Sequence, residues 1–189
     1  MSQNATPRKN ILVGLFRIAR GRADGIGFFG SSVQSFLASL APLIAFPLVG
    51  AVLAVSSEGP GRALTDLAMM VCALLTPAVV SYELARLWNR EDAWVRFATA
   101  FNWCEWILPI IAFLLMVPLS LAIAMGMNEN VAGTLLVGCL GIYGLWLHWF
   151  LARNALALSV GRALILVALV NFATGLAVMG PGFLAKYLG

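Results

Sequence analysis

Histidine occurs once in this 189-residue chain and cysteine three times. A single imidazole excludes a multi-histidine metal site. Cys72, Cys104 and Cys139 are odd in number, show no C-x-x-C spacing and sit inside or beside apolar runs. Neither a disulfide framework nor a zinc site is indicated, and apolar packing accounts for them. Charge is equally scarce, at 11% of residues, where a soluble domain carries about 25%. No G-x-S-x-G, Walker-type loop, H-E-x-x-H or dinucleotide fingerprint occurs. Polar stretches reach about thirty residues at most, too short for an independent catalytic domain. The expectation is a non-enzymatic chain with no cofactor and no metal.

A cleavable leader is also missing. The first apolar run, Ile11 to Phe16, is closed by Arg17, short of the roughly 7–15 residues that a signal peptide needs, and no small-residue cleavage site follows. The mature chain is expected to keep its N-terminus.

What the sequence has in excess is apolar surface, with 61% hydrophobic residues. A water-soluble fold this small cannot hide that much, whereas lipid can. Crossing the hydrocarbon core takes about 20 apolar residues in a helix. Five stretches qualify: Val33–Val55, Leu64–Ala85, Trp103–Met125, Val131–Ala152 and Val160–Met179. The predicted fold is an all-α polytopic transmembrane bundle. Residues 1–32 form a basic, amphipathic N-terminal segment, residues 33–180 the five-span domain and residues 181–189 a short external tail.

The basic residues give the bundle a direction. Arg8, Lys9, Arg17, Arg20, Arg22, Arg86, Arg90, Arg96, Arg153 and Arg162 fall on the N-terminal side, and Arg62 and Lys186 on the other. Ten against two predicts a cytoplasmic N-terminus and an external C-terminus. The net charge of +4 thus points to anionic headgroups and not to nucleic acid. Trp88, Trp94, Trp103, Trp106, Trp146 and Trp149 gather at the same end. Since an aromatic belt is normally two-sided, the asymmetry implies extra structure there. Two segments fit: Ile11, Leu15 and Ile18 recur at helical spacing among basic residues, and so do Trp94, Phe97 and Phe101 beside Arg90 and Arg96. Each reads as an amphipathic helix lying on the leaflet.

A weak repeat runs through the spans. Pro42-Leu43-Ile44-Ala45-Phe46 resembles Pro109-Ile110-Ile111-Ala112-Phe113, and Leu84-Ala85-Arg86 recurs as Leu151-Ala152-Arg153, both at an offset of 67 residues. Two helix hairpins plus a fifth helix would produce it.

Ionisable residues within or near spans are the candidates for function, since each costs about 2.5–3.5 kcal/mol at mid-membrane. Glu83, Glu105 and His148, followed by Arg153 and Asn154, lie at a similar depth near the basic end. Converged, they would form a proton- or headgroup-binding cluster with His148 titrating. Met by local partners, as when Glu83 pairs with Arg86, they would be structural. Asn171, central in the fifth span with Thr174 a turn on, is expected to make an interhelical hydrogen bond. Pro42, Pro47, Pro77, Pro109 and Pro118 each remove a backbone donor inside the apolar stretches. The freed carbonyls are what transporters use at broken-helix sites, and what small bundles use merely to fit together.

Five spans, a cytoplasmic N-terminus, small size, the stretch Pro77 to Arg86 with Tyr82, Arg96-Phe97 and Phe101-Asn102-Trp103 together resemble the bacterial members of the Yip domain family. The resemblance covers roughly residues 33–180. It implies a five-span membrane protein that associates with lipids or other membrane proteins, itself included. The acidic-Tyr-Gly-Pro motif of the eukaryotic members' cytosolic region is absent, and no functional residues carry over. The alternative expectation is a small transporter or channel subunit built on the polar cluster. Arg-over-Lys usage with abundant Ala and Gly fits a GC-rich bacterial genome, and hence an inner membrane. A reporter active only outside the cytoplasm, fused after Gly189, is expected to be active; a silent reporter on an inserted protein would reverse the orientation.

Overall fold

The computed structural model describes residues 10–188, without the side chains of residues 46, 54, 56–58 and 181–188. Arg8 and Lys9 lie outside the described residues, as does the side chain of Lys186.

Helix α1 (Ile11–Ala19) starts at Asn10, whose side-chain oxygen accepts the Leu12 N–H at 3.1 Å. This is the usual way to satisfy an orphan donor of the first turn. Gly21, at φ 72°, reverses the chain into a 3-10 helix at Ala23–Phe28. Two glycines let these pieces meet. A Cβ on Gly25 would stand 2.8 Å from the Gly14 carbonyl oxygen and 2.9 Å from both Arg17 Cβ and Ile18 Cγ1. Arg17 and Arg22 clasp the Asp24 carboxylate at 2.8 and 3.0 Å. The hydrogen bond from Arg22 holds its carboxyl below the usual range. With the folded value depressed, the contribution is present at neutral pH and is lost as pH falls through that value.

Helix α2 (Val33–Glu58) is capped by Ser32, which accepts from Ser35 N at 3.2 Å. Gly59, at φ 84°, is the whole connection to α3 (Pro60–Leu87), with Pro60 in the first turn, where no N–H is needed. Helix α4 (Glu91–Cys104) places Glu91 and Asp92 in its first turn, against the positive end of the helix dipole. Only Glu105 and Trp106 separate it from α5 (Ile107–Ala124). Helix α6 (Glu129–Ala155) is capped by Asn128, which accepts from Asn130 N at 2.8 Å. Helix α7 (Val160–Leu188) completes the chain, and no strand occurs among the described residues.

Five apolar paths are long enough to cross a membrane: Val33–Leu53, Pro60–Leu87, Glu91–Ala124, Glu129–Ala155 and Val160–Gly180. The all-α, five-span bundle is as expected, with three differences. The third path is two helices, beginning well before Trp103. Helix α7 continues through residues 181–188, where a separate tail was expected. The segment expected on the leaflet, α4, is instead enclosed by protein: Phe97 through Asn102 and Cys104 are all buried. The Trp94–Phe97–Phe101 pattern marked one apolar face, but Ala98, Thr99, Ala100 and Asn102 make the opposite faces small enough to pack too. A helix buried all round belongs inside a bundle.

The helices form a ring. Going round it, α2 packs on α3, α3 on α7, α7 on α6, α6 on α4 and α4 back on α2, while α5 packs mainly along α6 from outside. The buried core lies at the Arg-rich end, formed by α1, α4 and the adjoining ends of α3, α6 and α7. Farther along, Val52, Val137, Ile142 and Phe172 are exposed and present lipid-compatible surface. The face of α1 expected to meet lipid is also turned inward: Leu15 and Ile18 are buried. Leu12 and Phe16, on the other side, are 73% and 58% exposed. The repeat is matched in position only in part. Ala85 and Ala152 are both fully buried near helix ends, but Pro42 is well inside α2 and Pro109 is in the first turn of α5.

Gly25→Ala is expected to destabilise the α1 clasp by about 1–3 kcal/mol, as overpacking does. Amide exchange over residues 11–29 reads this directly: it should accelerate there and not in α6.

Candidate polar cavity beyond the end of α4

Three helices hold α4 by polar side chains: its ring neighbours α2 and α6 and, across the ring, α3. Toward α2, Asn102 Nδ2 donates to Ser39 Oγ at 3.0 Å, and Ser39 passes its own proton to the Phe36 carbonyl at 2.6 Å. Toward α3, Trp94 Nε1 donates to Ser81 Oγ at 3.0 Å, with Trp94 set edge-on to Tyr82 at 5.0 Å. Toward α6, at the residue that ends α4, Glu105 Oε1 lies 2.9 Å from His148 Nε2. Ser39, Ser81 and Asn102 are all buried. Lipid would leave such groups without partners, and here each is met by another helix.

At 14 residues α4 is about 21 Å long, about half the length of α6. Where it stops, the chain turns out along α6 as α5, and the ring is missing a wall. A cavity of about 410 Å³ occupies the gap. The last turn of α4 contributes Phe101 and Asn102, with Glu105 just beyond it. Helices α2, α3 and α7 supply Leu43, Met70, Leu74, Pro77, Val170, Asn171 and Thr174, and α6 supplies His148. By helix rise, His148 lies about 10 Å from the Arg-rich end of α6 and Asn171 about 16 Å along α7.

The Glu105 and His148 side chains are 33% and 15% exposed. Phe101 covers the imidazole, ring centroids 4.5 Å apart. His148 Nδ1 is buried without a hydrogen-bond partner. With Glu105 ionised, Nε2 carries the proton and donates it to the carboxylate, which leaves Nδ1 a bare lone pair. A carboxylate hydrogen-bonded to imidazole in an apolar cavity can take up, hold and hand on a proton.

The structure therefore brings together two members of the expected cluster, and leaves three apart. Glu83 pairs with Arg86 at 3.2 Å, both largely exposed at the end of α3. Arg153 is exposed, and Asn154 donates to the Phe150 carbonyl of its own helix at 2.7 Å. They lie at the depth of the core, beside Ala85, Ala152 and Leu156, but on other faces of α3 and α6, since residues a few positions apart can face opposite sides of a helix. Asn171 lines the cavity, but its amide donates to Val167 O at 2.8 Å within α7, so the expected interhelical bond is not what occupies its nitrogen. Asn102 and its Ser39 partner were not anticipated. A usable signal existed: Asn102 precedes Glu105 by one helical turn inside an otherwise apolar face. No family model, curated protein or solved structure matches the chain, so the Yip resemblance rests on span number, size and the short sequence stretches alone.

A double-mutant cycle over Glu105→Ala and His148→Ala is expected to give a coupling of about 0.6–1.7 kcal/mol in reversible unfolding from mixed micelles, the range that such cycles give for interhelical polar contacts in membranes. A coupling indistinguishable from zero would mean that the two side chains do not hold each other.

Proposed function

We propose that this chain is a small, non-catalytic transporter or channel subunit whose site is the cavity holding Glu105 and His148. The observation that carries the reading is the pairing itself: a carboxylate and the chain's single imidazole, from different elements, meet at 2.9 Å on the wall of a cavity of about 410 Å³. A bundle that needed only to pack would place apolar side chains there at lower cost. Ligand pockets are of this kind, mostly apolar with a few convergent polar groups, and volumes run from about 300 to 1,000 Å³. In the orientation we propose, the basic end faces the cytoplasm of a bacterium and the cavity lies beyond the end of α4, toward the middle of its plasma membrane, on the strength of the ten-to-two distribution of Lys and Arg.

A second reading, Yip-like association with lipids and other membrane proteins, is favoured by one feature: the exposed Leu12 and Phe16 on α1, with the Arg20 guanidinium 3.9 Å over the Phe16 ring. An interfacial helix would present that combination to a leaflet. The two readings part on one assay. In liposomes loaded with a pH-sensitive dye, the wild-type protein should accelerate proton entry after an external acid pulse. Glu105→Gln and His148→Ala should each return it to the protein-free rate. Wild-type flux at the leak rate, or full flux in both variants, would leave the association reading in its place.

A further inference from the structure

The polar groups around the cavity share a property that the pairing of Glu105 with His148 does not by itself require: each keeps an acceptor that its own hydrogen bond does not use. The direction of each bond is fixed by its partner. Ser39 gives its proton to the Phe36 carbonyl, so Asn102 must present N–H to Ser39, which leaves the Asn102 amide oxygen. Asn171 faces a backbone carbonyl and can only donate to it, leaving its amide oxygen in turn. Thr174 commits its proton to Val170 O at 2.8 Å and keeps its lone pairs. His148 Nε2 lies 2.9 Å from Glu105 Oε1, and its Nδ1 is buried without a partner.

The prolines add to the same side of the balance. Pro77 has no N–H for the Ala73 carbonyl, and Pro47 has none for the Leu43 carbonyl. Both Ala73 and Leu43 line this cavity. Glu105 is the one acidic side chain in the lining, and no Lys or Arg belongs to it. The remaining wall, with Met70, Leu74, Phe101 and Val170, is hydrocarbon.

We infer that the site takes a primary organic ammonium with an apolar body. The charge answers the Glu105 carboxylate, the N–H donors answer the amide, hydroxyl and proline-freed carbonyl oxygens, and the hydrocarbon answers the remaining wall. An anion would find no cationic side chain in the lining and would face the Glu105 carboxylate. A bare inorganic ion would leave most of about 410 Å³ unfilled. This inference rests on the cavity being the functional site, and names what enters it.

The test uses the full chain in nanodiscs and three probes of equal length: hexylammonium, hexanol and hexanoate. Calorimetric titration should show saturable binding in the order ammonium, then alcohol, with hexanoate weakest. Glu105→Gln should lower hexylammonium affinity about tenfold or more, the usual loss for a charge-assisted bond, and leave hexanol within about twofold. The wild-type ranking stands whether or not that variant folds. Hexanol and hexanoate binding as well as the amine, or better, would overturn the ammonium assignment while leaving a ligand-binding cavity. Saturable binding of none of the three would overturn the inference together with the cavity's role as a site.

Discussion

Helix α4 is held in its place by hydrogen bonds, and the rest of the bundle is arranged around that. Between membrane helices the hydrophobic effect gives little, because lipid tails solvate apolar side chains as well as protein does. A short helix that buries the Asn102 amide and the Trp94 indole N–H and ends at Glu105 has no reason to take a place among longer apolar helices unless its neighbours satisfy those groups. They do so on three sides, through Ser39, Ser81 and His148. Small residues at Ala98, Thr99 and Ala100 then let those neighbours close in.

The cavity is the consequence of α4 being short. A fifth ring helix of full length would fill the space between α2, α3, α6 and α7. The break at Glu105 and Trp106 sends the chain outward instead, and the hole is left at the position where the carboxylate is. The break, the charge and the void are thus one feature. The proline positions in α2 and α3 fall on the same hole, with Leu43 and Ala73 each set one turn before a Pro. Prolines that served only to bend the helices would have no cause to free carbonyls beside it.

How far the sequence could be read depends on what kind of pattern each feature leaves. Long apolar runs punctuated by Gly59-Pro60 and Gly126 specify spans and turns locally, so the five crossings were legible, though not where the third begins. The proximity of Glu105 and His148 was legible as equal depth, since depth depends on distance from the helix end. Which face a residue takes was not. In helices apolar on all sides, periodicity carries no rotational information, and so Arg153 and Asn154 could not be separated from His148 beforehand. Helix α4 misled for a related reason: its apolar stripe is visible in sequence, whereas the packing allowed by Ala98 and Ala100 depends on partners far away in the chain.

The most direct measurement asks whether α4 is a member of the ring. In a background with Cys72, Cys104 and Cys139 replaced by alanine, cysteines are placed at Ser39 and Asn102, whose side-chain atoms are 3.0 Å apart, and oxidised in native membranes. A ring closed by α4 predicts a rapid Ser39→Cys/Asn102→Cys cross-link and none between Ser39→Cys and Ile110→Cys on α5, since a disulfide forms only over a Cα separation of about 4.4–6.8 Å. No cross-link from position 102, or an efficient one from position 110, would place α5 in the ring and α4 on its surface, and the cavity would have no basis.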